Sequence, residues 1–367
     1  MPFAIIKLHR MAISNSNLHE RVRITTRKDI MPNIADGKFV VVGGASLLGS
    51  HIGEQLLSEG AREVILVDNL ALGVTQNIEH LVEDKRCTFL RGDALRLNEL
   101  FDPFTATDGV FNLAGFLTKP MSANPWLGID VNIRGAQNIL EASRIQGVKK
   151  VIFSSTTGVY GAAGDAPISD DTPLRWQNLS PSLILYCTSK IMGEGLGRMY
   201  SEAHGVDFLA LRYSAVYGER QHKRALDATR MVDAYERIRS GVPAIIEGDG
   251  TGVQDYVYVG DVARANLLAM QSSATGGGIN IATGVDTTQR RIIELITKAC
   301  NSDLAPIFKK NPTQIAMPTT NKHPFEISSA ERLIGWAPTI SIEAGIERLV
   351  SWLDQQDYQH PTPTIQP

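Results

Sequence analysis

The sequence predicts an α/β fold in which a doubly wound parallel sheet is joined to a smaller C-terminal α/β lobe. Apolar segments of strand length alternate with segments of helical periodicity over residues 38–213, as in right-handed βαβ units. A glycine-bearing turn follows the first strand, and glycine- and proline-rich stretches replace the alternation after residue 213. Together these observations indicate a Rossmann sheet followed by a looser lobe.

The first βαβ unit has the clearest pattern, with a strand at 38–42, a helix at 47–58 and a second strand at 63–67. The alternation then repeats, because short apolar runs bounded by polar segments are typical of strands buried on both faces. Further strands are predicted at 87–90, 109–113, 150–154 and 208–212, with helices at 94–101 and 126–146 between them.

We expect four regions along the chain. Residues 1–36 are an N-terminal extension, 37–213 a cofactor-binding Rossmann domain that carries the catalytic residues, and 356–367 a tail. Residues 214–355 are expected to form a mainly substrate-binding lobe, with some segments returning to the Rossmann domain. This division follows the change in pattern near residue 213.

The amino-acid composition disfavours several classes of function for this chain. The chain has 367 residues, 43% hydrophobic and 20% charged, which is typical of a soluble globular protein. A net charge of -3 offers no broad basic surface for nucleic acid or anionic membrane. Three widely spaced cysteines, Cys87, Cys187 and Cys300, form no paired motif, so we expect no metal site or disulfide framework and a cytoplasmic location.

The turn after the first strand is a candidate site for a dinucleotide. Gly43 permits a tight turn and Gly49 permits close packing of the helix on the strand. The amides and positive dipole end of the following helix would hold a pyrophosphate. Ser46 occupies the middle position, where its hydroxyl could donate to a phosphate. The alternative is a purely structural turn.

Asp68 strengthens the cofactor interpretation and favours NAD over NADP. It ends the second strand, 25 positions after Gly43, where a carboxylate can accept hydrogen bonds from both hydroxyls of an adenosine ribose and would repel a 2′-phosphate. No arginine follows it directly. Asp93, at the end of the next strand, would either lie near the adenine amino group or cap a helix.

The catalytic candidates are Tyr186 and Lys190, which lie four positions apart in a helical segment. This spacing places the phenol and the ammonium on one face of the helix. An isolated tyrosine, with a pKa of about 10, is a poor base at neutral pH, so a neighbouring positive charge is needed to lower it. The pair suits proton exchange with a carbinol beside a nicotinamide ring.

In these motifs the chain resembles the extended short-chain dehydrogenase/reductase family, in the NAD-dependent epimerase/dehydratase branch that includes UDP-glucose 4-epimerase. The likeness covers most of residues 38–355. Besides the glycine turn and the Tyr186–Lys190 pair, the segments that carry it are 112–115, Asn132 in 131–135, 153–161, 212–218, 255–259 and 333–338.

The resemblance implies roles for particular residues. Tyr186 would be the acid/base, Lys190 would lower its pKa and bind the nicotinamide ribose, and Thr156 would hydrogen-bond the substrate oxygen. The alternative for Thr156 is an ordinary hydroxyl at a strand end. The implied cofactor contacts are Gly43, Ser46, Leu47, Leu48, Gly49, Asp68, Asn69, Asp93, Ala94, Leu113, Ala114, Gly115, Asn132, Ser154, Tyr186, Lys190 and Tyr213.

The substrate side departs from the family pattern. The implied substrate contacts are Thr156, Ala215, Arg220 and Gln254, but Ala215 stands where the family usually has asparagine and Gln254 where it has a phosphate-binding arginine. Another phosphate-directed arginine of the family is absent near Lys322-His323. The Asp-Glu pair of the dehydratases is replaced by Thr157-Gly158, which disfavours water elimination.

We therefore expect an NAD-dependent enzyme that oxidises a secondary hydroxyl to a ketone, with nucleotide-sugar epimerisation as the leading outcome. The alternatives are a dehydrogenase or redox-neutral enzyme acting on a free sugar or an aromatic alcohol, and a non-catalytic NAD sensor. Trp126 and Trp176 are candidates for lining the pocket of the first; the alternative is that they are core residues. By family analogy, helices at 126–146 and 186–204 would pair across a two-fold axis in a homodimer.

Overall fold

The computed structural model describes residues 23–24, 31–161, 167–175, 179–221, 226–309 and 324–356. Its strands are β1 (Arg23–Ile24), β2 (Lys38–Val42), β3 (Glu63–Asp68), β4 (Cys87–Arg91), β5 (Gly109–Asn112), β6 (Lys150–Thr156), β7 (Asp207–Tyr213), β8 (Ala215–Tyr217), β9 (Ile245–Glu247), β10 (Val253–Tyr258), β11 (Ala274–Thr275), β12 (Gly278–Ile281), β13 (Asp286–Thr288) and β14 (Ile307–Lys309). Its α-helices are α1 (Leu47–Ser58), α2 (Glu79–Val82), α3 (Leu97–Phe104), α4 (Thr118–Ala123), α5 (Pro125–Ile129), α6 (Ala136–Gln146), α7 (Pro181–His204), α8 (Leu226–Arg239), α9 (Val259–Gln271), α10 (Gln289–Ala299), α11 (Ser328–Ile334) and α12 (Ile342–Gln355).

A parallel sheet of seven strands, in the order β12-β7-β6-β5-β2-β3-β4, is the centre of the fold. The chain runs outward from β2 through β3 to β4, then returns to place β5 on the other side of β2. This reversal is the topological switch point at which doubly wound sheets bind ligands. The predicted fold class is confirmed.

Both faces of the sheet are covered, which explains the continuous apolar runs of its strands. Val41, Leu66 and Phe111 pack into one hydrophobic cluster, whereas their neighbours Val40 and Val67 pack into a second. Successive side chains of a strand point to opposite faces, so each strand supplies both clusters. Alternation of apolar and polar residues is therefore missing from these strands.

Two predicted helices differ from those observed. The helix expected at 94–101 begins only at Leu97, because the Asp93 carboxylate accepts a hydrogen bond from the Leu95 amide and holds a turn there. The helix expected at 126–146 is divided into α5 and α6 by a π-helical segment at Asp130–Gly135. Helix α4 lies in a segment for which no helix was predicted.

The chain beyond β7 forms smaller sheets and returns once to the large one. Strand β10 pairs with β8 in parallel and with β13 in antiparallel, and β9 pairs with β14. Strand β12 joins the edge of the main sheet beside β7. The later segments are thus anchored to the same sheet that the earlier segments build.

Helix α7 packs closely on the strands that lie beneath it. It begins at Pro181 with Ser180 as its N-cap, and two of its glycines, Gly193 and Gly197, face aromatic rings of β6 and β7. A Cβ atom placed on Gly193 would lie 2.4 Å from the Phe153 ring, and one on Gly197 would lie 2.1 Å from the Phe208 ring. These glycines set the height of α7 above the sheet.

We predict that Gly197→Ala will destabilise the protein by about 1–3 kcal/mol, because the added methyl group displaces either Phe208 or the helix. Gly252→Ala is the matched control, since a Cβ atom there meets open space, and we expect its effect to stay within about 0.5 kcal/mol. Urea unfolding of both variants provides the measurement. Equal stability of the two variants would show that α7 does not rest on this contact.

Candidate active site

The candidate site lies at the carboxyl ends of the parallel strands, around the switch point between β2 and β5. The glycine turn follows β2, Asp68 ends β3, and the segment from Leu113 to Gly115 follows β5. Thr156 ends β6. The topology therefore places the predicted cofactor and catalytic segments at one edge of the sheet, where α/β proteins bind ligands.

The glycine turn is built for close backbone approach. Gly43 has a φ of +87°, a region that favours glycine. A Cβ atom on Gly49 would lie 2.2 Å from the carbonyl oxygen of Gly43, so only glycine lets α1 begin this near to β2. The first turn of α1 includes Leu47 and the buried Leu48, and its leading amides have no acceptor within the helix.

Ser46 has a different role from the expected phosphate donor. Its Oγ accepts a hydrogen bond from the Gly49 amide at 3.1 Å and donates to the Gly43 carbonyl at 2.6 Å. The hydroxyl carries a single proton, and this proton is used inside the turn. Ser46 is therefore the N-cap of α1 and fixes the geometry of the turn.

Asp68 is buried beside the turn, as the cofactor prediction requires. Its carboxylate accepts hydrogen bonds from the amides of Ala45 at 3.0 Å and Leu70 at 2.8 Å. Burial raises the pKa of Asp68, and the two amide bonds oppose that shift. The neighbouring Asn69 is exposed and accepts from the Ala71 amide. The carboxylate is thus held in one orientation at the end of β3.

Asp93 and Ala94 lie at the end of the next strand. Asp93 accepts from the Leu95 amide at 3.0 Å, while its own amide donates to Glu99 at 2.9 Å. Ala94 is buried, and its carbonyl oxygen accepts from the side chain of Asn138. Of the two interpretations of Asp93, these contacts favour a capping role. Asp93 caps the turn before α3, however, and not the helix itself.

Tyr186 and Lys190 are brought together on α7 with the end of β6. The Lys190 ammonium donates to the Ser154 carbonyl oxygen at 2.8 Å and lies 6.0 Å from the centre of the Tyr186 ring. Lys190 is only 5% exposed. Burial lowers the pKa of Lys190 to about 8, and the nearby carboxylate of Glu194 partly opposes that shift.

Asn132 connects the segment after β5 to α7. Its side chain donates to the Ser189 hydroxyl at 2.9 Å, and that hydroxyl donates to the Tyr186 carbonyl at 2.7 Å. It also exchanges two hydrogen bonds with the backbone of Phe116, at 2.6 and 3.0 Å. Asn132 lies in the π-helical segment, and such interruptions are frequent at functional sites.

The segment after β5 approaches Lys190 most closely at Gly115, which has no side chain. A Cβ atom on Gly115 would lie 3.2 Å from the Lys190 ammonium and 3.3 Å from Asn132 Oδ1. A Cβ atom on Gly43 would lie 3.1 Å from the Ala114 amide nitrogen. Leu113 and Ala114 therefore lie between the glycine turn and the catalytic helix. The missing side chains at Gly43 and Gly115 therefore let the glycine turn, the segment after β5 and Lys190 approach one another closely.

Thr156 and Tyr213 end the paired strands β6 and β7, but their side chains have different surroundings. Thr156 Oγ1 accepts from the Gly158 amide at 3.1 Å, so this bond leaves the hydroxyl proton available to another acceptor. The Tyr213 side chain lies in the hydrophobic core, and its hydroxyl donates to Asn266 of α9 at 3.0 Å. The observed contact of the Tyr213 side chain is thus with α9, and its role in cofactor binding stays a prediction.

The predicted substrate residues are divided between two places. Ala215 and Gln254 belong to one small sheet, where Ala215 pairs with Tyr256 and Gln254 with Thr287. Arg220 instead donates to Glu54 of α1 at 2.6 Å. This bond uses one donor of its guanidinium, so the expected role of Arg220 as a phosphate ligand stays a prediction. Lys322, His323 and Trp176 lie outside the described residues.

Some supporting residues were not anticipated from the sequence. Glu194 and Arg212 form a buried ion pair beside Lys190, and Ser189 connects Asn132 to α7. For Glu194 the sequence offered a signal, because it follows Lys190 by four residues, the spacing that places two side chains on one face of a helix. The pairing of Glu194 with Arg212 joins distant segments, and no local pattern indicates that pairing.

Neither a metal site nor a membrane span is found within the described parts of the chain. Residues 31–161, 167–175, 179–221, 226–309 and 324–356 contain no group of three or more His, Cys, Asp or Glu side chains placed to hold a metal ion. No helix in these ranges has the length and apolar character needed to cross a bilayer.

Comparison with known proteins agrees with this geometry. Residues 39–282 match the NAD dependent epimerase/dehydratase family. A putative UDP-glucose 4-epimerase of Methanocaldococcus jannaschii is 33% identical over 318 residues, covering 86% of this chain and 97% of that protein.

Solved structures agree as well. The UDP-glucose 4-epimerase of Thermotoga maritima with UDP-glucose is 30% identical, with a TM-score of 0.76, over 86% of this chain and 98% of that one. The UDP-glucose 4-epimerase of Thermus thermophilus in complex with NAD is 30% identical, with a TM-score of 0.74, over 87% and 99%. The chain therefore belongs to the NAD-dependent epimerase/dehydratase family and is an NAD-dependent enzyme of the extended short-chain dehydrogenase/reductase type.

Proposed function

We propose that this enzyme is a nucleotide-sugar epimerase, which oxidises a secondary hydroxyl of the sugar to a ketone and then restores it with the opposite configuration. The observation that carries the proposal is the Tyr186–Lys190 pair, held on α7 against the end of β6. The similar proteins named UDP-glucose 4-epimerase support the same reaction.

The site has the features that NAD requires. We assign the pyrophosphate to the first turn of α1, the adenosine ribose to Asp68 and Asn69, and the nicotinamide ribose to Lys190. Gly43 and Gly115, where a Cβ atom would lie 3.1–3.3 Å from neighbouring protein atoms, keep the glycine turn and Lys190 close to the segment after β5 and so shape the site. When bound, NAD accepts hydride from the substrate carbon and returns it.

Proton transfer is assigned to Tyr186. Its phenol takes the proton of the substrate hydroxyl as the ketone forms and returns it when the alcohol is restored. Lys190 places a positive charge beside the phenol and so lowers its pKa. Thr156 donates to the substrate oxygen and holds it within reach of Tyr186. Because Tyr186, Lys190 and Thr156 are all present, a non-catalytic NAD sensor is disfavoured.

The small sheet carrying Ala215 and Gln254 is assigned to the substrate. Within the proposed division of the chain, this sheet belongs to the substrate-binding lobe at 214–355. Glutamine carries no charge, so Gln254 cannot make the charge-assisted contact that a guanidinium makes with a phosphate. This feature favours a second candidate, a dehydrogenase acting on a secondary alcohol without a diphosphate, which would consume NAD stoichiometrically.

A homodimer in the cytoplasm is also proposed. The helices expected at the two-fold axis expose large apolar side chains, which a partner subunit would cover. These are Trp126 and Ile129 of α5, Ile145 of α6, and Met192 and Met199 of α7. Free, buried thiols at Cys87, Cys187 and Cys300 suit a reducing compartment.

We predict that Tyr186→Phe will lower turnover by at least about 100-fold, because the acid/base is removed, and will leave NAD affinity nearly unchanged. Interconversion of UDP-glucose and UDP-galactose without added NAD is the assay, and absorbance at 340 nm detects the alternative dehydrogenase. Tyr200→Phe is the matched control, since that hydroxyl lies further along α7 and donates to Glu141. A Tyr186→Phe rate above a tenth of wild type would exclude the assigned role.

We predict that Asp68→Ala will weaken NAD binding by about 1.5–3 kcal/mol, because two charge-assisted hydrogen bonds to the ribose are lost. NADP binding should weaken less or improve, since the repulsion of its 2′-phosphate is relieved. Calorimetric titration with both dinucleotides provides the measurement, with Asp68→Asn as the variant that removes only the charge. Equal weakening of both dinucleotides would indicate damage to the turn alone.

We predict that Gln254→Arg, alone and together with Ala215→Asn, will tighten UDP binding by about 1.5 kcal/mol or more, through a charge-assisted contact with phosphate. Gln355→Arg, at the exposed end of α12, controls for the added positive charge. Calorimetry with UDP distinguishes them. If neither Gln254 variant gains affinity over this control, the small sheet does not bind the diphosphate.

A further inference from the structure

A buried ion pair lies one helical turn beyond the catalytic lysine. The guanidinium of Arg212, on β7, donates to both carboxylate oxygens of Glu194, on α7, at 2.7 and 3.0 Å. The two residues are 2% and 7% exposed, respectively. Tyr186, Lys190 and Glu194 follow one another at intervals of four on α7, so the carboxylate continues the face that bears the catalytic pair.

The carboxylate also binds the catalytic strand. Ser155 Oγ donates to Glu194 Oε1 at 2.5 Å. Ser155 lies between Ser154, whose carbonyl oxygen accepts from Lys190, and Thr156, which is assigned to the substrate. One carboxylate therefore fixes the relative position of the strand end and the helix that together carry all three catalytic groups.

Arg212 is itself held on its far side. Its Nη1 donates to the Tyr160 hydroxyl at 2.8 Å and to the Asp170 carbonyl oxygen at 3.0 Å, and the Tyr160 hydroxyl donates to Asn280 of β12 at 2.7 Å. A Cβ atom on Gly278 would lie 2.4 Å from Arg212 Nε, so the glycine makes room for the guanidinium. The orientation of Glu194 is thereby determined from outside α7.

The charges around Lys190 are few in the described part of the chain. Helix α7 contributes the phenol of Tyr186 and the carboxylate of Glu194, and β7 contributes Arg212 behind that carboxylate. The other elements present uncharged groups, namely the Ser154 carbonyl of β6, the Phe153 ring, Gly115 and the amide of Asn132. Burial lowers the pKa of Lys190 to about 8, and Glu194 is the charge that raises it.

We propose that Glu194 and Arg212 are positioning residues of the catalytic centre: the carboxylate locks α7 to β6 and keeps the Lys190 ammonium charged, and the guanidinium fixes the carboxylate. The inference rests on the proposed function through the role given to Lys190. It assigns to this ion pair a part in catalysis. Stability alone does not account for the pair, because a buried ion pair contributes little net stability.

The sign of the effect follows from the charges. Without the carboxylate, the charged form of Lys190 is favoured less, so the ammonium loses its proton at a lower pH. Tyr186 then loses the neighbouring positive charge at a lower pH as well. Removing the carboxylate should therefore move the alkaline limb of the kcat profile towards neutral pH, by about one unit, with less change in KM.

The experiment compares Glu194→Gln with the double variant Glu194→Gln/Arg212→Met. The single variant leaves a buried guanidinium without its partner, so we expect it to lose thermal stability. The double variant removes both charges and should recover much of that stability. Arg198→Met/Glu202→Gln is the matched control, because it removes an exposed ion pair from the same helix.

The titration of Lys190 is read directly by NMR, in protein that contains carbon-13 and nitrogen-15 labelled lysine and saturating NAD, with Lys190→Met to assign the signal. We expect the midpoint to fall by about one pH unit in Glu194→Gln. In the double variant it should fall by a smaller amount, because the guanidinium removed with the carboxylate lies behind it and opposes its effect, and in the control it should stay at the wild-type value. A purely structural ion pair would instead give a stable double variant with the wild-type midpoint, which would overturn the proposal.

This readout separates the inference from the proposed function, because it requires no substrate. A lowered Lys190 midpoint in a protein that does not convert UDP-sugars supports the positioning role and removes the assigned substrate. An unchanged midpoint in a protein that does convert them overturns the positioning role and leaves the epimerase assignment intact.

Discussion

The burial of a single ammonium, that of Lys190, is the constraint on which the site depends. Removing a charge from water costs free energy unless neighbouring groups compensate for it. Here the compensation comes from the Ser154 carbonyl oxygen and from the carboxylate of Glu194. The Ser154 carbonyl oxygen reaches the ammonium because α7 lies close to the sheet, which the missing side chain of Gly197 permits, whereas Glu194 lies four residues further along the same helix. The packing of α7 on the sheet therefore determines the surroundings of the Lys190 ammonium.

Much of the Rossmann sheet could be predicted from the sequence, because its signals are local. The strand at 38–42 and the helix at 47–58 have the predicted bounds, since apolar runs and the Ser46 cap lie within the segments themselves. The interruption at 130–135 could not be predicted in this way. It coincides with bonds between Asn132 and the backbone of Phe116, and these depend on how separate segments meet.

The candidate site was predictable to the same degree. The Tyr186–Lys190 spacing is local to one helix, and the structure brings that pair to the expected edge of the sheet. Arg220 was assigned to substrate by its position in a motif, but its partner, Glu54, is 166 positions away. Arg212 likewise meets Glu194 only after the chain has folded. Partners chosen by tertiary packing leave no trace in a short sequence window.

The return of the chain to the main sheet has a consequence for how the protein is made. Strand β12 covers the outer edge of β7 and pairs Gly278 with Ala210 through to Ile281 with Tyr213. During synthesis, each paired residue of β7 emerges from the ribosome 68 residues before its partner in β12, so the amides and carbonyls of this edge are unpaired until then. Such an exposed edge invites pairing with other nascent chains. Strand β12 therefore covers an edge of β7 that would otherwise stay open to such pairing.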